Sequence, residues 1–485
     1  MSRPNILIFM TDQQRGNTVL PDHPCIMPNV DRFRDEGVTF SETYCPSPHC
    51  CPSRASFFSG LYPSEHGIWH NVNVANAITR GLSPGVTLWS EELSDAGYRM
   101  LFAGKWHVSD HEGPADRGWD TCSAGSGKGA GEKPESLYVE RRWNQYSDGK
   151  MHPSDVSERE PATIVRPGYP PYRHYGINED PFNDGKVTSG AIEMLRGLGD
   201  SDQPWCQYVG TLGPHDPYCA PQRFVDMYDF DDIDLPASFN DHMEDKPGFY
   251  RRTRHVFDQL TEEEHRESIR HYYALCSYED YLFGELLKAL DETGQAGNTV
   301  VVYMSDHGDY TGDHGLWCKG VPAFKGAYHV PAIIRGPGIK NPGRTDNSLV
   351  SLTDFAPTFL ELADVESEMK VSGKSLVPFL NDEQPDGWRD ALFTQTNGNE
   401  LYGIQRSVVT KKWKYVFNGF DFDELYDLEA DPEEVTNLID QPEHGGTVKE
   451  LCTRMWEFAY EHQDGCINPY IMIGWSPVGP GVVFE

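Results

Sequence analysis

The chain has 485 residues, with 41 Lys plus Arg against 75 Asp plus Glu and a formal net charge of −34. It is too long for one small core, and a composition of 38% hydrophobic and 24% charged residues excludes disorder, collagen-like repeats and a membrane bundle as the overall class. So acidic a surface excludes nucleic acid and anionic membranes as partners, and an anionic substrate requires positive charge gathered at one place.

In chain order, Pro4 to Met10 is a short continuous apolar run that reads as a buried strand, followed at once by polar Thr11-Asp12-Gln13-Gln14. The run is too short for a signal peptide, and no stretch has the 18 or more apolar residues of a spanning helix, so the expectation is a cytoplasmic protein without a membrane segment. Val86 to Ala96 reads as a helix closed by Gly97. Tyr98 to Phe102 is a second buried strand, leading into Gly104-Lys105-Trp106-His107. Residues 111–185 are rich in Gly, Pro and charge without a sustained period, which suits an insertion lining a site. With residues 218–260 they are expected to shape specificity. Arg141, Arg142, Arg166, Arg173 and His174 are candidate contacts to a substrate carboxylate or second sulfate, although surface arginines are more commonly solvated.

Trp205 to Leu212 is a third buried strand and leads into Gly213-Pro214-His215. Thr261 and Glu264 form a capping box, after which apolar residues recur at spacings near three and four up to Gly294. Thr299 to Met304 leads into Ser305-Asp306-His307-Gly308. Four buried strands thus end in polar clusters, and in open α/β sheets ligands bind beyond the carboxyl ends of the strands. After about Gly373, short half-exposed strands at 391–394, 405–409 and 413–417 suggest a small antiparallel sheet. The expected organisation is an α/β unit at 1–372, a large mostly parallel sheet sandwiched by helices, and an α+β subdomain at 373–485. The apolar tail from Ile467 is expected to dock on its own domain or on a neighbouring subunit, which leaves a homo-oligomer open. Eleven cysteines without a CxxC pair read as mostly buried free thiols.

Cys50-Cys51-Pro52-Ser53-Arg54, running on to Gly60, reads by itself as a turn into a helix starting near Pro52 or Ser53. It resembles the C-x-P-S-R signature of the type I sulfatases of the alkaline phosphatase-like superfamily, and the resemblance extends from Asn5 to about Leu438. It implies that Cys50, with Cys51 in the variable position, is converted to formylglycine by a maturation enzyme. As a hydrate, that aldehyde has one hydroxyl to attack sulfur and a second whose deprotonation releases sulfate. Arg54 lies one helical turn from Cys50 and can compensate the developing charge.

The resemblance also implies one divalent cation, Ca²⁺ first with Mg²⁺ or Mn²⁺ as alternatives, held by Asp12, Gln13, Cys50, Asp306 and His307. Gln13 and His307 depart from the Asp and Asn common in the family, and a nitrogen ligand favours Mn²⁺ or Mg²⁺. Lys105 and His107 match the residues that serve the sulfuryl group and the second hydroxyl. His215 matches the residue facing the leaving oxygen, with Lys319 as its lysine and Lys325 as the alternative. Glu424-Leu425-Tyr426-Asp427-Leu428, which matches the family's closing segment, reads as a turn and a helix start. The implied activity is sulfate-ester hydrolysis on a sulfated small molecule or saccharide, with a phosphonate monoester hydrolase or phosphodiesterase as the alternative.

Overall fold

The computed structural model describes residues 3–74, 76–122, 155–166, 170–199, 202–467, 470 and 472–485. Arg141 and Arg142 lie outside the described residues. The main sheet has eight strands: β1 (Asn5–Asp12), β2 (Val38–Tyr44), β3 (Arg99–Gly104), β4 (Asp120–Thr121), β5 (Trp205–Pro214), β6 (Thr299–Ser305), β7 (Ala332–Arg335) and β8 (Arg344–Ser351). Their order is β8-β2-β7-β6-β1-β5-β3-β4, and only β7 runs antiparallel to its neighbours. The four strands with polar ends, β6, β1, β5 and β3, are adjacent and parallel, so those ends share one rim.

Alternation along β1 explains its continuous apolar run. Ile6, Ile8 and Met10 join a core with Phe57, Trp89 and Phe355, while Leu7 and Phe9 join one with Phe283, Leu286 and Tyr303. Each such side chain contributes about 1.5–3 kcal/mol when buried, which is why Ile6 to Met10 are all apolar.

Helices α1 (Cys50–Ser59), α2 (Trp89–Asp95), α3 (Asp184–Arg196), α4 (Gly248–Phe257), α5 (Glu262–Glu292), α6 (Phe355–Leu362) and α7 (Gly445–Glu461) accompany the sheets. Helix α5 begins as expected: the Thr261 hydroxyl accepts from the Glu264 amide (3.2 Å) and Glu264 Oε2 accepts from the Thr261 amide (2.9 Å). Helix α2 is shorter than the 86–96 expected. Glu91 Oε2 accepts from the Leu88 amide at 2.8 Å and sets the first turn there, three residues late. Helix α1 starts at Cys50, ahead of Pro52, which sits in the first turn where no amide needs an intrahelical partner.

The carboxyl-terminal sheet has four strands, β9 (Ala391–Gly398), β10 (Tyr402–Thr410), β11 (Trp413–Asn418) and β12 (Glu424–Asp427), in that order. The last corrects the reading of Glu424–Leu428 as a turn and helix start. Leu425 and Tyr426 point to different cores, the alternation of a strand, and pair with Tyr415 and Lys414. In the tail, Met472, Ile473, Val478, Val482 and Val483 pack against the core formed with α7, whereas Tyr470 is 89% exposed.

Candidate active site

Strands β1 and β6 end side by side, and so deliver Asp12 and Asp306 to one point. Cys50, first residue of α1, meets them there: its Sγ lies 3.2 Å from His307 Nε2 and 3.7 Å from Asp12 Oδ1. One ligand atom from each of Asp12, Cys50, Asp306 and His307 lies within 4.8 Å of the other three, and all four residues are buried. His307 Nδ1 donates to the Gly308 carbonyl (2.9 Å), which turns Nε2 toward Cys50 and both carboxylates. Gly308 must be glycine, because a Cβ would sit 2.0 Å from the Gly326 carbonyl oxygen.

Arg54 ties the two strands together. Its Nε donates to Asp306 Oδ2 (2.7 Å), Nη2 to Asp12 Oδ2 (3.0 Å), and Nη1 to the Lys105 carbonyl (3.0 Å) and the Tyr208 hydroxyl (2.7 Å). All of its nitrogens have partners, so it clamps the carboxylates from beneath. Lys105 follows β3 and places its ammonium on Asp12 Oδ2. The strand end requires Gly104 at φ +92°, where a Cβ would meet the Gly210 carbonyl at 2.0 Å.

Burial and the adjacent Cys50 would raise the Asp12 carboxyl, but Lys105, Arg54 and His215 hold it well below the usual carboxylate range. Asp306 goes the other way: burial raises it and Asp12 adds to the rise, with Arg54 offsetting only part. Burial alone would raise the Cys50 thiol too, yet Lys105, Lys319 and His307 bring it well below its ordinary value. Burial and then Lys105 lower His107, keeping its imidazole neutral. His107 Nε2 faces Asn73 Oδ1 at 3.2 Å, and its buried Nδ1 makes no hydrogen bond among the described residues.

The second wall joins His215 and Lys319. Lys319 Nζ donates to His215 Nε2 (2.5 Å) and to Gln13 Oε1 (2.6 Å). His215 Nδ1 in turn donates to the Asp216 carbonyl (2.5 Å). Gln13 stands at φ 69°, which turns its carboxamide from the carboxylate pair toward this wall; Nε2 donates to Asp309 Oδ2 (2.5 Å) and Asp216 Oδ1 (3.2 Å). Lys325 is elsewhere, 3.3 Å from Glu42. Cys50, Lys105, His107, His215 and Lys319 all line one cleft of about 550 Å³.

Of the expected metal ligands, Gln13 is the one whose side chain faces away from the Asp12–Asp306 pair. Asp216, Asp309 and Asn73 were not anticipated. Asp216 and Asp309 sit in the same polar strand-end clusters as His215 and Asp306, a signal that was available, whereas Asn73 lies on a loop without any pattern. His174 is buried against Tyr218 and Trp317 rather than offered to a substrate.

Two family profiles match the chain: Sulfatase over residues 4–365, and N-sulphoglucosamine sulphohydrolase, C-terminal, over residues 312–461. A choline-sulfatase of Rhizobium meliloti is 30% identical over 91% of this chain and 83% of its own length. Among solved structures, the phosphonate monoester hydrolase of Agrobacterium radiobacter superposes with a TM-score of 0.75 at 23% identity, covering 95% of this chain and 96% of that one. A protein solved in complex with its substrate D-glucosamine-2-N,6-O-disulfate superposes with a TM-score of 0.69 at 22% identity, covering 96% and 99%. The structural likenesses are likenesses of fold.

Proposed function

Given that this chain belongs to the sulfatase family, whose members hydrolyse sulfuric esters, we propose that it cleaves the sulfate ester of a small alcohol or saccharide, using formylglycine made from Cys50 and one divalent cation. The observation that carries this reading is the meeting of Cys50 with two buried carboxylates and an imidazole nitrogen at the head of α1. Cys50 is 1% exposed, so its maturation enzyme must reach it before α1 packs.

The donor set fits a hard cation. Two buried carboxylates, Asp12 and Asp306, meet there with the Nε2 of His307, whose Nδ1 donates to the Gly308 carbonyl, so oxygen and nitrogen donors gather at one point. Asp12, Asp306 and His307 would hold the ion; Gln13 Oε1 is given to Lys319. When bound, the cation would neutralise the sulfuryl oxygens and lower the pKa of the nucleophilic hydroxyl.

The chain's own groups divide the remaining work. Lys105 supplies positive charge beside the sulfuryl group. The neutral His107, with Nδ1 unpartnered, accepts the proton whose loss releases sulfate. Lys319 has only protons to donate, so His215 Nε2 accepts from it and the pair holds a proton for the leaving oxygen. Arg54 keeps the two strand ends in register while charge moves above them.

The names of the relatives suggest choline sulfate and sulfated glucosamine as substrates to try. The test is a panel on metal-loaded protein whose Cys50 conversion is verified by mass spectrometry: an aryl sulfate, choline sulfate, sulfated mono- and disaccharides, and a phosphonate monoester. A sulfate ester is expected to be hydrolysed fastest. A phosphonate monoester turned over faster than every sulfate would replace this reading with that of a phosphonate hydrolase.

A further inference from the structure

Helix α4 carries Arg251, Arg252, Arg254 and His255 in ten residues without an acid, within a chain of net charge −34. Its two sides do different things. Phe249 and Thr253, four residues apart and so on one face, line the catalytic cleft. Arg251, Arg252, Arg254 and His255, with His242, line an open groove of about 920 Å³ in which Asp258 is the single acid. Tyr250 anchors the helix between them, its hydroxyl donating to Glu424 Oε1 (2.7 Å).

Several arginines elsewhere find carboxylates: exposed Arg196 pairs with Glu292, and half-buried Arg266, Arg335 and Arg454 pair with Glu262, Glu36 and Asp390. Within the groove Arg254 is fixed on the Asp241 carbonyl and reaches Asp258 at 3.4 Å. Arg251 and Arg252 are exposed and make no ion pair or hydrogen bond among the described residues. With so many acids available, two adjacent guanidinium groups held free of them are suited to an anion from outside.

We propose that this groove is a second anion site for the substrate, taking a further sulfate or a carboxylate of a saccharide whose scissile sulfate ester sits at Cys50. The proposal rests on the sulfatase reading and narrows its substrate class to saccharides with more than one negative group. A guanidinium fork matches sulfate and carboxylate oxygens in pairs, which an ammonium does not. At 1.5 Å rise per residue, Arg252 is only about 4.5 Å along the helix axis from Phe249, so a sugar leaving the cleft past Phe249 reaches the groove around the same helix. The wall of the cleft formed by residues 399–401 presents Glu400, which repels an anion and favours the α4 side.

The experiment uses metal-loaded full chain carrying Cys50→Ala, which binds without turning over. Calorimetric titration compares a monosulfated disaccharide with its disulfated isomers, with and without Arg251→Ala plus Arg252→Ala, and thermal melts check that the added changes leave the fold intact. At least one disulfated isomer should bind roughly tenfold more tightly than the monosulfated one, the scale of two partly exposed charge-assisted contacts. The arginine changes or 0.5 M salt should erase that gain while leaving monosulfate binding in place. No gain from a second sulfate, or an equal gain with both arginines removed, overturns the proposal. Hydrolysis of an aryl sulfate by the unsubstituted enzyme is measured in parallel. If that occurs and the gain does not, the groove proposal falls alone; if no sulfate ester is hydrolysed, the sulfatase reading falls with it.

Discussion

The floor and the wall of the cleft are built on different physical terms. Asp12, Asp306, His307 and Arg54 on the floor come from strand ends and a helix between them, and all are fully buried. Their charges are locked in reciprocal pairs, Arg54 bridging Asp12 and Asp306. His215 and Lys319 on the wall stand on loops, are partly exposed, and are joined through Gln13 to Asp216 and Asp309. On the proposed reading, a floor that holds a cation needs charges that do not change, and burial with mutual pairing supplies that. A wall that must exchange protons with solvent cannot be sealed in the same way.

Cys50 sits on the seam, and its removal has the largest expected effect. Cys50→Ala should lower kcat/KM for an aryl sulfate by at least about 10³-fold, as loss of a covalent nucleophile does. Cys51→Ser should keep most activity. Its sulfur accepts from the Val72 amide (3.3 Å), and burial raises its thiol well above the ordinary value, the reverse of Cys50. Equal loss in both variants, or formylglycine found at position 51, would place the nucleophile one residue later.

Breaking the floor comes next. Asp12→Ala or Asp306→Ala should remove bound metal and activity together, and each should cost about 3–5 kcal/mol of stability because Arg54 is left buried with one carboxylate instead of two. Asp216→Ala on the wall should keep its metal. Elemental analysis with thermal melts makes the comparison, and full metal content in Asp306→Ala would separate the floor from cation binding.

This contrast also decided what the sequence could reveal. Asp12 and Asp306 follow continuous apolar strands, and a parallel sheet brings such ends together whatever the loops do. Thr261 and Glu264 announced α5 because a capping box is local. The wall depends on loop paths. Whether Lys319 or Lys325 meets His215, and that Gln13 turns to Asp309, follow from left-handed residues such as Gln13 (φ 69°) and Cys318 (φ 62°), which spacing does not encode. The strand β12 was not legible because four residues are too few to display their alternation between two cores.

On the wall, the expected effect depends on the substrate. His215→Ala should lower kcat/KM by roughly 10²–10⁴ for esters of poor leaving groups and much less for activated aryl esters, since a good leaving group needs little acid help. Lys319→Ala should follow the same pattern. Lys325→Ala should not, because its ammonium is engaged by Glu42. Plots of log kcat/KM against leaving-group pKa test this directly. Parallel lines for the unsubstituted enzyme and His215→Ala would leave His215 a binding residue.

The smallest expected effect, and the one that separates wall from floor most finely, is in the pH profile. Burial and Lys319 both push the His215 pKa down, but Asp216, Cys50 and Asp12 outweigh them, and it lies above the ordinary histidine value. The sign follows: a raised pKa keeps a second proton, that of His215 beside that of Lys319, to higher pH, so the acid assistance it gives is present below that pKa and is lost above it. For a poor leaving group, kcat/KM should therefore hold through the pH 6.5 at which a free histidine is half titrated, then fall by up to tenfold per unit beyond the raised pKa. For an activated aryl sulfate the same limb should be shallow or absent. Asp216→Asn removes the neighbour that does most to raise His215, so it should move the limb to lower pH for the poor leaving group while leaving the metal content unchanged. A limb that stays in place in Asp216→Asn, or that is equally steep for both esters, would mean that the titrating group belongs to the floor.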